Sequence, residues 1–303
     1  MIKSVIDIGT NSTRLLIAKK ENGLYKELLR KTTITRLGEG LNSTGNIKIE
    51  AAERTVRAIS DYLQLASAFG SSSISAFATQ ALREAKNATE ILDFFKQKTG
   101  LAARVLTGPE EALCSFIGAV MDLGNEKFRM VVDIGGGSTE FAAGIRSPEF
   151  TVSTQLGCVR LMELFGLAEA AEREKVEKVE NFIVSELSKV LRAGSLNVEE
   201  AVFVGGTATT IAAIVLGLVH YDRNKVHLSK IDIKSIEKVA FELASLNANE
   251  RSRYTVIEKE RLPVISAGAL IMHSILDYLG FQEIIVSEKD ILDGYLVYEN
   301  GLQ

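Results

Sequence analysis

The chain has 303 residues, 46% of them hydrophobic and 24% charged, with three prolines, no tryptophan and a net charge of −4. That length accommodates two domains of about 150 residues each. The mildly acidic balance carries no global signature of nucleic-acid or acidic-membrane binding, so an anionic substrate would have to be held by local positive charge. Cys114 and Cys158 lie far apart, and the three histidines make no ligand spacing with them. A zinc site and a disulfide framework are therefore not expected, and both cysteines read as core packing.

The first segment, residues 2–8, is already an apolar strand with no signal peptide ahead of it, which gives the expectation of a cytoplasmic protein. It runs into Asp7-Ile8-Gly9-Thr10-Asn11-Ser12-Thr13, and another apolar stretch follows. Residues 24–35 form one further strand or a pair, and 37–46 a loop by their glycines and small polar residues. Residues 49–69 have Ala52, Val56, Ile59, Leu63 and Ala66 spaced for one helical face, with Gly70 closing the helix. A strand over 73–78 leads to Thr79-Gln80-Ala81-Leu82-Arg83, and Asn87 with Glu90 resembles a capping pair for a helix ending at Gly100. After a strand at 103–106, Thr107-Gly108-Pro109-Glu110-Glu111 opens a helix to about Met121. Local sequence explains both glutamates as acids in a helical first turn behind proline.

Residues 130–144, MVVDIGGGSTEFAAG, are the centre of the chain. They read as strand, glycine-rich reversal and strand, with Glu140 returning to the level of Asp133 if the strands pair. Gly135, Gly136 and Gly137 have no Cβ, so their amides can approach an anion closely, and Ser138 and Thr139 add hydroxyl donors. Two carboxylates beside a phosphate cradle suit Mg²⁺, which takes one or two carboxylates plus substrate oxygens and water. The segment repeats the first loop, Asp7–Thr13, at Asp, Ile, Gly, Ser and Thr. Such a repeat implies two related domains facing each other across a cleft, each offering a phosphate loop.

The second half continues with a strand at 149–156, a short helix opened by Gly157-Cys158-Val159-Arg160, and a charged helix over 172–191. A strand at 200–204 enters Gly205-Gly206-Thr207 and a helix from Ala208 to about Val219. This third glycine junction is either a tight βα turn or a third contact to phosphate through amides at a helix N-terminus. The apolar window 201–219 reads as buried strand, turn and helix rather than a membrane span. Helices at 232–246 and 261–279, a strand at 283–286 and a last helix at 290–300 complete an α/β chain with mixed sheets in both halves.

Two D-I-G-x-x-S-T loops with a GGT loop resemble the actin-like superfamily. Residues 78–88, ATQALREAKNA, narrow this further, because they resemble the ATxALRxAxN segment of the exopolyphosphatase/guanosine pentaphosphate phosphatase (Ppx/GppA) family. Gly108-Pro109-Glu110-Glu111-Ala112, Asp133–Glu140, Leu156-Gly157-Cys158-Val159-Arg160, Gly206-Thr207-Ala208-Thr209-Thr210 and Ala267-Gly268-Ala269-Leu270-Ile271 match in order, so the likeness spans 2 to about 298. It implies two related actin-like, ribonuclease H-like domains with mixed sheets flanking a central cleft. Their expected extents are 1–124 and 125–303, with the last helix packing back on the first domain. The C-terminal helical domains of longer members have no counterpart in the sequence.

The resemblance also assigns roles. Glu111 falls at the position of the base that activates water, Asp133 and Glu140 at positions tied to Mg²⁺ and catalysis, and Arg83 at a substrate-binding arginine. Asp7 joins Asp133 and Glu140 as a metal candidate. Gly9, Thr10, Asn11, Ser12, Gly135, Gly136, Gly137, Ser138, Thr139, Gly205, Gly206 and Thr207 form the expected phosphate cradle, and Arg14 is a weaker candidate that could equally cover a sheet edge. Three departures stand out: Leu113 where arginine is common, Pro263 in the R-A-D-V-I pattern, and Leu292 in S-x-x-G-L-R-E-G. The expected activity is Mg²⁺-dependent release of terminal phosphate from inorganic polyphosphate. Alternatives are guanosine pentaphosphate hydrolysis by the same residues and non-catalytic sensing of polyphosphate or alarmone. An actin-like kinase would leave Glu111 and the ALREAKN segment unexplained. Neither nucleic acid nor membrane is an expected partner, and the resemblance implies a homodimer.

Overall fold

The computed structural model describes residues 1–301 apart from 22, 193 and 195. Residues 302 and 303, the end of the expected second domain, lie outside the described residues. The first half contains β1 (Ile2–Ile8), β2 (Ser12–Glu21), β3 (Leu24–Ile34), α1 (Leu41–Thr44), α2 (Ile49–Ala68), β4 (Ser73–Ala78), α3 (Gln80–Glu84), α4 (Ala88–Thr99), β5 (Arg104–Val105) and α5 (Gly108–Val120). The second contains β6 (Arg129–Ile134), β7 (Thr139–Gly144), β8 (Pro148–Thr154), α6 (Cys158–Phe165), α7 (Arg173–Ser188), β9 (Glu200–Val204), α8 (Gly205–Val215), α9 (Arg223–Val226), β10 (Ser229–Asp232), α10 (Ile233–Ala244), α11 (Ile265–Leu279), β11 (Glu283–Val286) and α12 (Ile291–Gly301). Two 3-10 segments, Glu250–Arg253 and Lys259–Arg261, precede α11.

The sheets run β3-β2-β1-β4-β5 and β10-β11-β9-β6-β7-β8. In each, an antiparallel meander is continued by parallel strands: β1 pairs with β2 antiparallel and β4 parallel, and β6 pairs with β7 antiparallel and β9 parallel. The sequence repeat is thus a repeat of topology. Alternation of side chains sends each central strand into two cores. Ile6 and Ile8 pack with α2, whereas Val5 packs with Leu292 and Leu296 of α12. Met130, Val132 and Ile134 join the large core of the second half, whereas Val131 packs on Ala112 and Phe116 of α5.

The helices α5 and α12 exchange places. Helix α5 packs its apolar face on the second sheet, and α12 packs on the first. They cross where Gly118 touches the Asp290 backbone and Gly294 touches that of Cys114, and a Cβ at either glycine would overlap the opposing carbonyl.

Several expected elements change. The loop 37–46 contains the short α1 between Gly40 and Gly45, both left-handed. The Asn87–Glu90 capping pair does not form. Asn87 instead bonds the Ile47 backbone, accepting from its N–H at 2.9 Å and donating to its carbonyl at 3.0 Å, so a tertiary contact outcompetes the local cap. Helix α8 begins at Gly205 and ends at Val215, because Gly205 (φ +80°) turns straight into the helix and Gly217 (φ +65°) follows its end. The helix expected from 261 begins at Ile265, after Pro263, which has no N–H for a helical bond. Val56 and Leu63 sit at the edge of the α2 stripe, and Tyr62 fills its centre, its hydroxyl donating to the Thr13 carbonyl and sharing a hydrogen bond with the Thr33 hydroxyl.

Candidate active site

The β1–β2 and β6–β7 hairpins share one register. Asp7 lies opposite Arg14 in the first, and Asp133 opposite Glu140 in the second. Each turn is closed by its first glycine, with the Gly9 amide donating to the Ser12 carbonyl at 3.0 Å and the Gly135 amide to the Ser138 carbonyl at 2.9 Å. These two amides are therefore occupied within the turns. The tips meet: Gly136 lies against Thr10 and Asn11, and Thr10 Oγ1 donates to Gln80 Oε1 at 2.9 Å.

Between the tips is a cavity of about 80 Å³, space for roughly two or three waters at their liquid volume. Its walls bring together Asp7, Gly9, Thr10, Asn11, Ser12, Glu111, Asp133, Gly135, Gly136, Gly137, Ser138, Glu140, Gly205, Gly206 and Thr207. Arg83 stands behind the wall, donating from Nη1 to Glu111 Oε2 and to the Leu106 carbonyl, both at 2.9 Å. Thr139 is fully buried with its hydroxyl on the Leu156 carbonyl at 2.6 Å, directed away from the cavity. Thr207 Oγ1 lies 3.3 Å from the Ile134 carbonyl, tying α8 to β6.

Helix α5 separates the roles of its two glutamates. Glu110 closes a capping box with Thr107, which satisfies the orphan amides of the first turn. The next residue, Glu111, turns into the cavity. One helical turn later Ser115 Oγ donates to Asp133 Oδ2 at 2.9 Å, and Ser153 Oγ donates to Glu140 Oε1 at 2.8 Å. Gly205 is required where it stands: its φ is +80°, and a Cβ would lie 2.7 Å from Asp133 Oδ1.

Three carboxylates held out of water are all raised by burial, and Glu140 and Glu111 also by their acidic neighbours. Burial first, then the charge of Asp133, pushes Glu140 up to about 7, against hydrogen bonds from Ser138 and Ser153. Burial pushes Asp133 up to about 6. Glu111 is raised well above the ordinary carboxylate range by burial and then by Glu140, which outweigh the attraction of Arg83. Asp7 gives Oδ2 to Arg14, while its buried Oδ1 has no hydrogen-bond partner.

Four residues that matter to this geometry were not read as site residues: Ser115, Ser153, Gln80 and Asp290. Arg14, a weaker phosphate candidate that could equally have covered a sheet edge, lines the cavity in an ion pair with Asp7. The register was the available signal, since Arg14 stands opposite Asp7 as Glu140 stands opposite Asp133. Leu292 is fully buried between α12 and the first sheet, so that departure lies in the core rather than in the cleft.

The sequence model of the Ppx/GppA phosphatase family matches residues 16–300. Exopolyphosphatase 2 of Mycobacterium tuberculosis is 34% identical over 310 aligned positions, covering 96% of this chain and 96% of its own. The crystal structure of the Aquifex aeolicus Ppx/GppA family member is 33% identical and superposes with a TM-score of 0.84, covering 100% of this chain and 98% of that one. An exopolyphosphatase from Cytophaga hutchinsonii, 21% identical with a TM-score of 0.92 over 100% of this chain and 99% of that one, shares the fold. The chain belongs to the Ppx/GppA phosphatase family.

Proposed function

We propose that the protein is an exopolyphosphatase, a hydrolase that releases terminal orthophosphate from inorganic polyphosphate. The observation that carries the reading is the convergence of Glu111, Asp133 and Glu140 in one small cavity between two phosphate loops. Family membership and the relatives' activity support it.

Glu111 is the base: Arg83 holds its Oε2, leaving Oε1 to orient a water and accept its proton. Burial and Glu140 raise its pKa, which makes the Glu111 carboxylate a stronger proton acceptor than an exposed glutamate. The loops and Arg14 hold the terminal phosphoryl group so that water and leaving oxygen lie in line. Arg14, Gly205, Gly206 and Arg261 also line an adjoining cavity of about 450 Å³, the space for the rest of the substrate.

A divalent cation fits this donor set. Asp7 Oδ1 is buried without a partner, and Asp133 and Glu140 carry raised pKa values that a cation would relieve. Among the described residues no group of three His, Cys, Asp or Glu side chains is preassembled for a metal. Mg²⁺, which keeps substrate oxygens and water among its ligands, would be held through Asp133 and Glu140 with Asp7 beside them. Bound there, Mg²⁺ would neutralise charge developing on the transferred phosphoryl group. We place the activity in the cytoplasm; among the described residues no helix is long and apolar enough to cross a membrane.

The test is phosphate release with Mg²⁺ from long and short polyphosphate, guanosine pentaphosphate and ATP at matched concentration. Preference for polyphosphate is expected. Preference for guanosine pentaphosphate would transfer the same residues to alarmone hydrolysis, and no release from any substrate would sink the hydrolase reading in favour of a sensor.

A further inference from the structure

Arg14 is gripped by two carboxylates that arrive from opposite ends of the chain. Its Nε and Nη2 donate to Asp7 Oδ2 at 2.8 and 2.5 Å, and its Nη1 donates to Asp290 Oδ2 at 2.5 Å. Asp7 lies on the neighbouring strand, whereas Asp290 lies just ahead of α12. Asp290 is itself fixed: it is 5% exposed, and its Oδ1 accepts from the Leu292 amide at 3.0 Å and from Arg30 Nη1 at 3.2 Å. In the family pattern S-x-x-G-L-R-E-G this position is glycine and the charge stands two residues later. Here position 292 is an apolar core residue in place of the pattern's arginine, and an aspartate stands at 290 in place of its glycine, ahead of the acid kept at Asp293.

Stability is a poor explanation for the arrangement. A buried ion pair gains little over well-packed apolar side chains, because desolvation offsets the attraction. Orientation is the better one. A guanidinium has five coplanar N–H donors, and the two aspartates take three of them. The remaining two are held in a plane that cannot swing, at the junction of the catalytic cavity and the larger one beside it. A free arginine would lose its rotamer freedom on each substrate encounter.

We propose that Asp290 is a positioning residue that, with Asp7, clamps Arg14 so that its two remaining N–H groups face phosphate oxygens where the cavities join. The inference rests on the phosphohydrolase reading above. Asp290→Ala is expected to raise KM for polyphosphate about tenfold with a smaller fall in kcat, as for a lost binding contact rather than a lost catalytic group. Arg14→Ala should raise KM comparably, and the double variant should be no worse than Arg14→Ala alone, since contacting residues that act as one do not add. Leu292→Ala, on the same helix start, should lower the unfolding midpoint and leave KM unchanged. Additive effects of the two charge variants, or a KM rise in Leu292→Ala matching that of Asp290→Ala, would overturn the clamp. Asp290→Asn keeps the acceptor for the Leu292 amide and covers the case in which the alanine variant does not fold; its KM should lie between wild type and Asp290→Ala, and a wild-type KM would count against the charge. If the wild-type protein hydrolyses no phosphoanhydride, the functional reading fails separately. The clamp is then read by nitrogen-15 NMR of the Arg14 guanidinium, whose protons should exchange slowly in wild type and quickly in Asp290→Asn. Equal exchange would overturn it.

Discussion

Replacing Glu140 with glutamine should make the metal-free protein more stable while disabling it. Glu140 is 2% exposed, and burial with the nearby Asp133 charge raises its pKa from 4.5 to about 7. The sign follows from proton linkage. Between those values the folded protein holds a proton that the unfolded chain has lost, so stability is highest below pH 4.5 and falls as pH rises to about 7. At ~1.36 kcal/mol per pH unit, that gap amounts to on the order of 3 kcal/mol above pH 7. Glutamine keeps an oxygen to accept from Ser153 Oγ and carries no charge to desolvate. Urea unfolding without divalent cation should therefore show Glu140→Gln ahead of wild type by up to ~3 kcal/mol at pH 8, with the advantage almost gone at pH 4.5. Phosphate release should fall by about two orders of magnitude or more, the size of a lost charge-stabilising group. A variant less stable than wild type at pH 8, or one equally favoured at both pH values, would refute the claim that Glu140 stores destabilising charge for function.

Glu111→Gln should lower kcat by ~10²–10⁴ while polyphosphate affinity persists, because the amide still accepts from Arg83 but takes no proton; equilibrium binding beside single-turnover kinetics reads both, and unchanged turnover would remove Glu111 as the base. Gly205→Ala puts a Cβ 2.7 Å from Asp133 Oδ1 at φ +80°, so a loss of about 1–3 kcal/mol is expected in thermal or urea unfolding, and wild-type stability would contradict the close approach. Arg251 is fully buried, with Nε and Nη1 on the Leu243 and Leu262 carbonyls at 2.9 Å and Nη2 on the Leu167 carbonyl at 2.8 Å. Arg251→Met would remove all three of these charged donors, with Ser266 Oγ still donating to the Leu167 carbonyl, and should cost about 3 kcal/mol or more, a figure that a urea midpoint within error of wild type would exclude. Removing divalent cation with a chelator should abolish phosphate release and Mg²⁺ should restore it, while Asp133→Asn should show no heat of Mg²⁺ binding by calorimetry; release that survives chelation would count against a metal.

Much of the molecule was legible locally. Strand, glycine turn and strand are short-range events, so the hairpins at Asp7–Thr13 and Asp133–Glu140 could be read from apolar runs and glycines, and their repetition announced two matching sheets. The pairing of Asp133 with Glu140 follows from a four-residue turn, which fixes register. Composition could not separate Glu110 from Glu111, because a helical first turn accepts both. Only the packing of α5 on the second sheet makes one a cap and turns the other into the cavity.

What only the tertiary structure decided are the contacts whose partners are distant in sequence. Periodicity shows that α5 and α12 each have an apolar face, but the choice of sheet depends on how the chain crosses between halves, where Gly118 and Gly294 let the helices touch. Arg14 meets Asp290 across 276 residues of chain, whereas Ser115 of α5 and Ser153 of β8 reach the carboxylates of the strands next to them in the chain, Ser153 standing opposite Glu140 in register. Buried charges must find partners wherever the fold brings them. The sequence alone determined the two phosphate loops and their carboxylates through the local rules of turns and strands, and Glu111 and Arg83 only through the family likeness; the fold decided which of these groups are held still, dry and aimed, because burial and long-range hydrogen bonding exist only once the two sheets face each other.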